Sequence, residues 1–285
     1  MKRAELRELL DRAGIRPSKG KGQNFLVEDS LAEAIVRDAG VDGDAVVWEV
    51  GTGLCVLTLP LARAAREVLT VELDGQVAEL ARELLAEHPN VTLLEGDVLA
   101  GKQSLNPEVL AALRARADRG RLLFVANLPY AIATPLLIRA LAADLPALCS
   151  VVVMVQFEMA ERAVAQPGSS AYGAVSVLLQ ALTAQAQIVR KVPREVFHPR
   201  PRVQSAILKL TPCAERVKGF AELEPVVRAV FNFRRKSLAN AAKHAGARDP
   251  ELAWLPEAVL ASGLDPQVRV DRLDVQAFRR LLAAR

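Results

Sequence analysis

The chain is predicted to be an α/β protein, a doubly wound and mostly parallel sheet followed by a smaller, all-helical C-terminal domain. Three observations carry that prediction. Short apolar runs bounded by turn residues alternate with segments of helical spacing between residues 45 and 156, the pattern of βαβ units with helices on both faces of a sheet. Aromatic residues make up only 4% of the 285 residues while 51% are hydrophobic, so the core must be built mainly from Ala, Val and Leu, as buried parallel sheets are. Beyond Val189 the alternation stops, and residues 221–285 have helical spacing throughout.

The elements follow in order. MKRAELRELL (1–10) mixes charges of both signs with its apolar residues, which predicts a short amphipathic helix and not the uninterrupted apolar run of a signal peptide. Buried strands are predicted at AVVWEV (45–50), VLTVEL (68–73), VTLLEGD (91–97), LLFVANLP (122–129) and LCSVVVMVQ (148–156). Helices are predicted between them at 57–66, 76–87, 107–116 and 135–141, the last with Thr134-Pro135 as its start signal. The longest charge-free stretch, 163–189, is broken by Pro167, Gly168 and Gly173 and cannot form a clean membrane span. Pro193, Pro199, Pro201 and Pro212 then surround two extended pieces, QIVRKV (187–192) and SAILKL (205–210). A domain boundary is placed at Pro212, giving domains 1–212 and 213–285.

Several classes are excluded by composition. Cys55, Cys149 and Cys213 are odd in number, far apart and in no Cys-x-x-Cys pair, which argues against a disulfide framework and a structural zinc site and fits a reducing, cytoplasmic setting. His88, His198 and His244 show no metal-ligand spacing, so no metal is expected. The net charge of +4 is unevenly spread, at +4 over residues 1–24, −9 over 25–189 and +9 over 190–285. Basic ends flanking an acidic middle suit a chain that grips phosphates at its ends and does chemistry in between, although an ordinary solvated surface could carry the same charges.

In a doubly wound sheet the ligand lies beyond the carboxyl ends of the strands, so those residues identify the candidate site. The first strand runs into Glu49-Val50-Gly51-Thr52-Gly53-Leu54-Cys55, a glycine turn opening the next helix. Val56 stands where a nicotinamide fingerprint needs a third glycine, which disfavours a dinucleotide-dependent oxidoreductase, and a Gly-Lys-Ser/Thr phosphate loop is missing. The second strand carries Glu72, 21 residues after Gly51, the spacing of an acid that accepts hydrogen bonds from ribose hydroxyls. The third ends in Gly96-Asp97, whose carboxylate could accept from an adenine amino group. Each acid alone is more often a turn residue or helix cap; their recurrence at successive strand ends favours a ligand.

The fourth strand ends in Asn127-Leu128-Pro129-Tyr130, the most specific element. An aromatic exocyclic amine is a poor nucleophile because its lone pair is delocalised into the ring. Oxygen acceptors aimed at its N–H bonds localise that pair. The Asn127 side-chain oxygen and the Pro129 carbonyl can supply them, and Tyr130 offers a face for an extruded base.

Taken together these segments resemble the ribosomal RNA adenine N6,N6-dimethyltransferases, class I S-adenosylmethionine-dependent enzymes. The resemblance covers nearly the whole chain: GQNFL (22–26), EVGTGLCVLT (49–58), VEL (71–73), EGD (95–97), NLPY (127–130), VQFE (155–158), SAYGAVSVLLQ (170–180), VPREVFHPRPRVQSAILKL (192–210) and FNFRRKSLANAAK (231–243). It implies a seven-stranded Rossmann-like methyltransferase sheet in domain 1–212, with its basic N-terminal arm, and an RNA- or ribosome-binding domain at 213–285. By resemblance, Asn24, Leu26, Gly51, Thr52, Gly53, Glu72, Leu73, Asp97, Val98 and Asn127 would hold S-adenosylmethionine, which leaves as S-adenosylhomocysteine. Asn127, Pro129 and Tyr130 would hold the target adenine, with Phe231 as a second aromatic beside it. Arg200, Arg202, Arg234, Arg235 and Lys236 would meet RNA phosphates. The implied substrate is a pair of adjacent adenosines in the 3′-terminal hairpin of small-subunit rRNA, presented on a pre-assembled small ribosomal subunit to a cytoplasmic, monomeric enzyme without membrane or metal. Transfer would be an in-line displacement driven by positioning.

Two departures from the family pattern stand out. Cys55 occupies the place of a third glycine, and Phe157 stands where a lysine is common. Two rival readings share the same residues: a resistance-type methylase of large-subunit rRNA, and a catalytically weak RNA-binding checkpoint of subunit assembly in which Cys55 has impaired catalysis.

Overall fold

The computed structural model describes residues 3–17, 23–101 and 103–285, so Lys19, Lys21 and Gly22 of the basic arm and first motif lie outside the described residues. The chain divides into two compact units, residues 1–160 with 185–212, and residues 161–184 with 213–285.

The first unit is built on seven strands: β1 (Ala45–Val50), β2 (Glu67–Glu72), β3 (Val91–Glu95), β4 (Arg121–Asn127), β5 (Leu148–Gln156), β6 (Thr183–Val192) and β7 (Ser205–Pro212). They lie in the order 3-2-1-4-5-7-6. Strands β1 to β5 are mutually parallel where they pair, and β7 runs antiparallel to β5 with Ser205 opposite Gln156. The order reverses between β1 and β4, so a crevice opens at their carboxyl ends. Every residue of AVVWEV is buried, as an apolar run without alternation requires for a central strand covered on both faces.

Helix α1 (Arg3–Arg12) and α2 (Asp29–Ala39) precede the sheet, and α3 (Thr58–Ala64), α4 (Gly75–Leu84), α5 (Pro107–Arg114) and α6 (Ala133–Ala142) connect its strands. Ile35 and Val36 of α2 and Leu61 of α3 join Val47, Leu123, Val125, Val152 and Met154 in one aliphatic core layer. Residues of opposite parity face the other way. There Trp48 and Phe124, paired in register across β1 and β4, stack with ring centroids 4.1 Å apart. The amphipathic face of α1 is buried through Leu6 and Leu10 against Phe25, Leu54 and Val77. Proline starts α5 as its first helical residue behind the cap Asn106, whereas α6 begins at Ala133, before Thr134-Pro135.

The second unit contains the last part of α7 (Phe157–Val164), α8 (Ala174–Leu182), α9 (Phe220–Phe231), α10 (Leu238–Arg248), α11 (Leu255–Ala261) and α12 (Val275–Ala283). The compact units divide after Pro212, where the sequence reading draws its domain line, and residues 161–184 pack with the C-terminal helices. The reason is the charge-free stretch itself. Helix α8 buries Val177, Leu178, Leu179 and Leu182, and the preceding Tyr172, only 1% exposed, donates its hydroxyl to the Leu273 carbonyl at 2.8 Å. Among the described residues no helix is long and apolar enough to cross a membrane.

Candidate active site

The carboxyl ends of β1, β2, β3 and β4 surround a cavity of about 440 Å³ in the first unit. Twelve of the thirteen residues read from the sequence as holding cofactor or adenine line it, all but Phe231: Asn24, Leu26, Gly51, Thr52, Gly53, Glu72, Leu73, Asp97, Val98, Asn127, Pro129 and Tyr130.

The glycine turn forms the floor. Gly51 has φ 83°, a conformation that β-carbon sterics disfavour in other residues, and a side chain there would touch the Asn127 carbonyl and Pro129 ring at 3.5–3.6 Å. Those are ordinary contact distances, so it is the positive φ, and not crowding against NLPY, that calls for glycine here. Beneath the turn is a buried polar chain. Thr58 and Thr70 both donate to Oε2 of Glu49 at 2.8 Å, and the Thr70 hydroxyl is 2.7 Å from that of Thr52. Burial raises the Glu49 carboxyl to about 8, opposed by these two hydroxyls, so it is largely protonated at neutral pH.

Cys55 is the only non-glycine residue with positive φ among the described residues, at 61°. Its backbone thus adopts the glycine-like conformation, at a cost of roughly 1–2 kcal/mol. The side chain points away from the cavity: Cys55 is fully buried against Ala81 and Leu85, with Sγ 3.9 Å from the Ala81 carbonyl. Burial pushes its thiol pKa upward, leaving it a small apolar packing group.

On the walls stand the acids. Glu72 accepts the Gly53 and Asp74 amides at 3.0 Å, one on each oxygen, which aims the carboxylate and ties the turn to β2. Burial raises its pKa, and the backbone amides oppose that rise. Asp97 accepts the Leu99 amide on Oδ1 at 2.9 Å, so Oδ2 is the end available to a ligand. Leu73 is 66% exposed, an apolar side chain beside an acid on the cavity wall.

Asn127 closes β4. Its Nδ2 donates to the Asn24 carbonyl at 3.4 Å, which leaves Oδ1 as the side-chain end to meet a substrate. The Pro129 carbonyl already accepts the Ile132 amide at 3.2 Å, so only its second lone pair is open, and the acceptor read at Pro129 is shared with the turn that starts α6. The half-buried Tyr130 places its hydroxyl 2.7 Å from that of Ser205.

Sequence reasoning missed several wall residues. Gln23 donates to Asp74 at 3.1 Å, and both line the cavity with Phe25, Val77 and Ile132. The strand pair Phe25–Leu26 with Phe197–His198 draws the Asn24 segment to the proline-rich segment, a pairing that neither stretch signals locally. At Phe157, where the sequence lacks the common lysine, the Lys191 ammonium of β6 lies 4.5 Å over the ring.

The residues read from the sequence as RNA-binding divide. Arg202 is exposed in the first unit, and Arg200 is exposed but paired with Glu195. In the second unit Arg235 and Lys236 are exposed, with the Lys236 ammonium 3.1 Å from His244. Two expectations need correction. Phe231 is 8% exposed, edge-on to Tyr172 and stacked on Phe278, so its ring is taken up by the helical core and is not offered to a base. Arg234 donates to the carbonyls of Ser169, Ser170 and Tyr172 and serves as an internal clasp of its unit.

A crevice at the switch point of a 3-2-1-4-5-7-6 sheet, with acids on two strand ends and an Asn-x-Pro-Tyr turn on a third, defines a methyltransferase of the Rossmann-like type. Comparison with known proteins specifies it. Residues 17–280 match the family model described as ribosomal RNA adenine dimethylase. The chain belongs to that family, and it is an S-adenosylmethionine-dependent rRNA adenine dimethyltransferase. It is 41% identical over 277 residues to ribosomal RNA small subunit methyltransferase A of Moorella thermoacetica, spanning 95% of this chain and 93% of that one. It is 37% identical over 286 residues to the protein of that name from Lactiplantibacillus plantarum, spanning 99% and 94%. In fold it is similar to a dimethyladenosine transferase from Plasmodium falciparum, with TM-score 0.73, 23% identity and coverage of 91% and 96%. It is also similar to the 23S rRNA methyltransferase ErmE, with TM-score 0.60, 24% identity and coverage of 92% and 99%.

The cavity fits the methyl donor by the chemistry of its lining. Glu72 suits a diol, Asp97 an amino group, and Leu73 and Val98 an apolar ring between them, while the glycine turn lets backbone approach closely.

Proposed function

We propose that this enzyme dimethylates N6 of two adjacent adenosines in the 3′-terminal hairpin of small-subunit rRNA, acting as a monomer in the cytoplasm on a pre-assembled small subunit. The relatives named above as small subunit methyltransferases support the choice of subunit. The observation that carries the chemistry is the Asn127 amide, whose nitrogen is occupied by the Asn24 carbonyl and whose oxygen remains for the substrate.

S-adenosylmethionine, when bound, supplies an electrophilic sulfonium methyl and leaves as S-adenosylhomocysteine. Glu72 and Asp97 hold its ribose and adenine in this reading, with Asn24, Leu26, Gly51, Thr52, Gly53, Leu73 and Val98 completing the subsite. Asn127 Oδ1 accepts one N–H of the target amine, and the second lone pair of the Pro129 carbonyl accepts the other. Both bonds draw the nitrogen lone pair out of conjugation with the ring. Tyr130 stacks on the extruded base and fixes its plane. Once methylated, the nitrogen is acidic enough to release its proton to water, so no histidine or strong general base is required. Positioning supplies most of the rate. Arg202, Arg235 and Lys236 meet phosphates, with an affinity that falls as salt rises.

The test is incubation of the purified protein with labelled S-adenosylmethionine and small subunits lacking the modification, followed by nucleoside analysis of the RNA. Dimethyladenosine in the terminal hairpin is the expected product. Salt-sensitive binding without transfer, on subunits that a known active enzyme methylates, would replace this reading with the assembly checkpoint. Methylation of large-subunit RNA alone would replace it with the resistance-type activity.

A further inference from the structure

The hydrogen bond between Tyr130 and Ser205 has no part in the reading above, yet it joins the aromatic residue of the site to the antiparallel strand. Ser205 is fully buried and is the first residue of β7. Its backbone is clamped: it pairs in register with Gln156 of β5, and the next residue on β5's side, Phe157, donates its amide to the Gln204 carbonyl at 3.0 Å. A hydroxyl on so fixed a backbone is a fixed point. Tyr130 lies in a turn between β4 and α6 and is half-buried, so one edge of its ring has no core around it. Without a tether such a ring can rotate about two side-chain bonds. The 2.7 Å contact to a residue 75 positions away pins the phenol oxygen, which fixes where the ring axis points, and because a phenol hydroxyl bonds in the plane of its ring the contact also orients the ring face.

We propose that Ser205 is a positioning residue for methyl transfer: through the Tyr130 hydroxyl it sets the plane on which the target adenine stacks, without itself touching the base or the methyl donor. This rests on the reading of Tyr130 as the aromatic residue that holds the adenine. The effect belongs to the chemical step, because a base stacked at the wrong tilt is bound but misaligned, and small misplacements cost orders of magnitude in rate.

A double-mutant cycle tests it. Ser205→Ala, Tyr130→Phe, the pair together, Ser205→Thr and Tyr130→Ala are compared in single-turnover transfer to small subunits lacking the modification, with S-adenosylhomocysteine affinity measured by titration calorimetry and folding by thermal unfolding. Ser205→Ala and Tyr130→Phe should each slow transfer about tenfold, with S-adenosylhomocysteine affinity unchanged. The double variant should be no slower than either single, because both remove the same tether. Ser205→Thr, which keeps a hydroxyl on a residue at home in strands, should retain most of the rate. Multiplying effects, or a folded Ser205→Ala at the wild-type rate, would overturn the proposal. If Ser205→Ala fails to fold, Tyr130→Phe decides, and a wild-type rate there would overturn it equally. Loss of transfer in Tyr130→Ala with a wild-type rate in Ser205→Ala removes the tether alone. Full transfer by Tyr130→Ala removes the reading of Tyr130 itself.

Discussion

The side-chain amide of Asn127 donates to the backbone carbonyl of Asn24 at 3.4 Å, linking positions 103 residues apart. An amide has one donor end and one acceptor end. By occupying the donor end, Asn24 leaves the oxygen as the free end, so a segment outside the main sheet orients Asn127, the residue proposed to activate the amine.

Asn127→Ala should therefore abolish transfer, by at least about 10²-fold on the scale of lost transition-state hydrogen bonds, while leaving the thermal midpoint close to wild type. Asn127→Asp keeps an acceptor but places a second oxygen against the Asn24 carbonyl, and should be nearly as inactive. Near-normal turnover of the folded Ala variant, measured with labelled methyl donor, would sink the amine-activation argument.

Cys55 should prove tolerated. Cys55→Gly relieves the left-handed backbone but removes the sulfur packed on Ala81 and Leu85 and loosens the unfolded chain, so stability should stay within about 1 kcal/mol of wild type. Cys55→Ala keeps the strain, loses the packing and should be the less stable variant. S-adenosylhomocysteine affinity should be unchanged in both, because the thiol is directed into the core and away from the cavity. A tenfold gain in affinity for the glycine variant would restore the idea that this cysteine weakens cofactor binding.

The Glu49 carboxyl gives stability a pH dependence. Its pKa is raised from 4.5 to about 8 by burial, so between those values the folded chain keeps a proton that the unfolded chain has lost. Its contribution is complete below about 4.5 and is lost as pH rises towards 8, with a limiting slope of about 1.4 kcal/mol per pH unit. Glu49→Gln, which retains the acceptor used by Thr58 and Thr70, should flatten the fall in thermal midpoint between pH 5 and 8. Parallel curves for the two proteins would mean that Glu49 is ionised beneath the turn.

The neighbours Arg234 and Arg235 should separate structural from RNA-facing charge. Arg234→Ala removes a guanidinium that serves three carbonyls and should lower stability by about 2 kcal/mol. Arg235→Ala should leave the thermal midpoint unchanged, weaken binding to small subunits and reduce the salt slope by about one. The reverse pattern, by thermal melts and filter binding, would exchange the two roles.

What the sequence by itself determined is what depends on local pattern. Apolar runs such as AVVWEV become central strands because they leave no polar face to solvate, and a parallel sheet brings its strand ends together, so Gly51, Glu72, Asp97 and Asn127 could be read as one site before any contact was known. Tertiary structure decided what depends on partners distant in the chain. It gave segment 161–184 to the helical unit through the Tyr172 bond to Leu273, turned Phe231 and Arg234 inward, directed the Cys55 sulfur into the core, and tethered Tyr130 to Ser205. Hydrophobic periodicity and turn chemistry act over a few residues and leave their mark in order. The choice of which buried hydroxyl, carbonyl or ring meets which other is made by close packing among residues that can lie 103 positions apart, and no short segment encodes it.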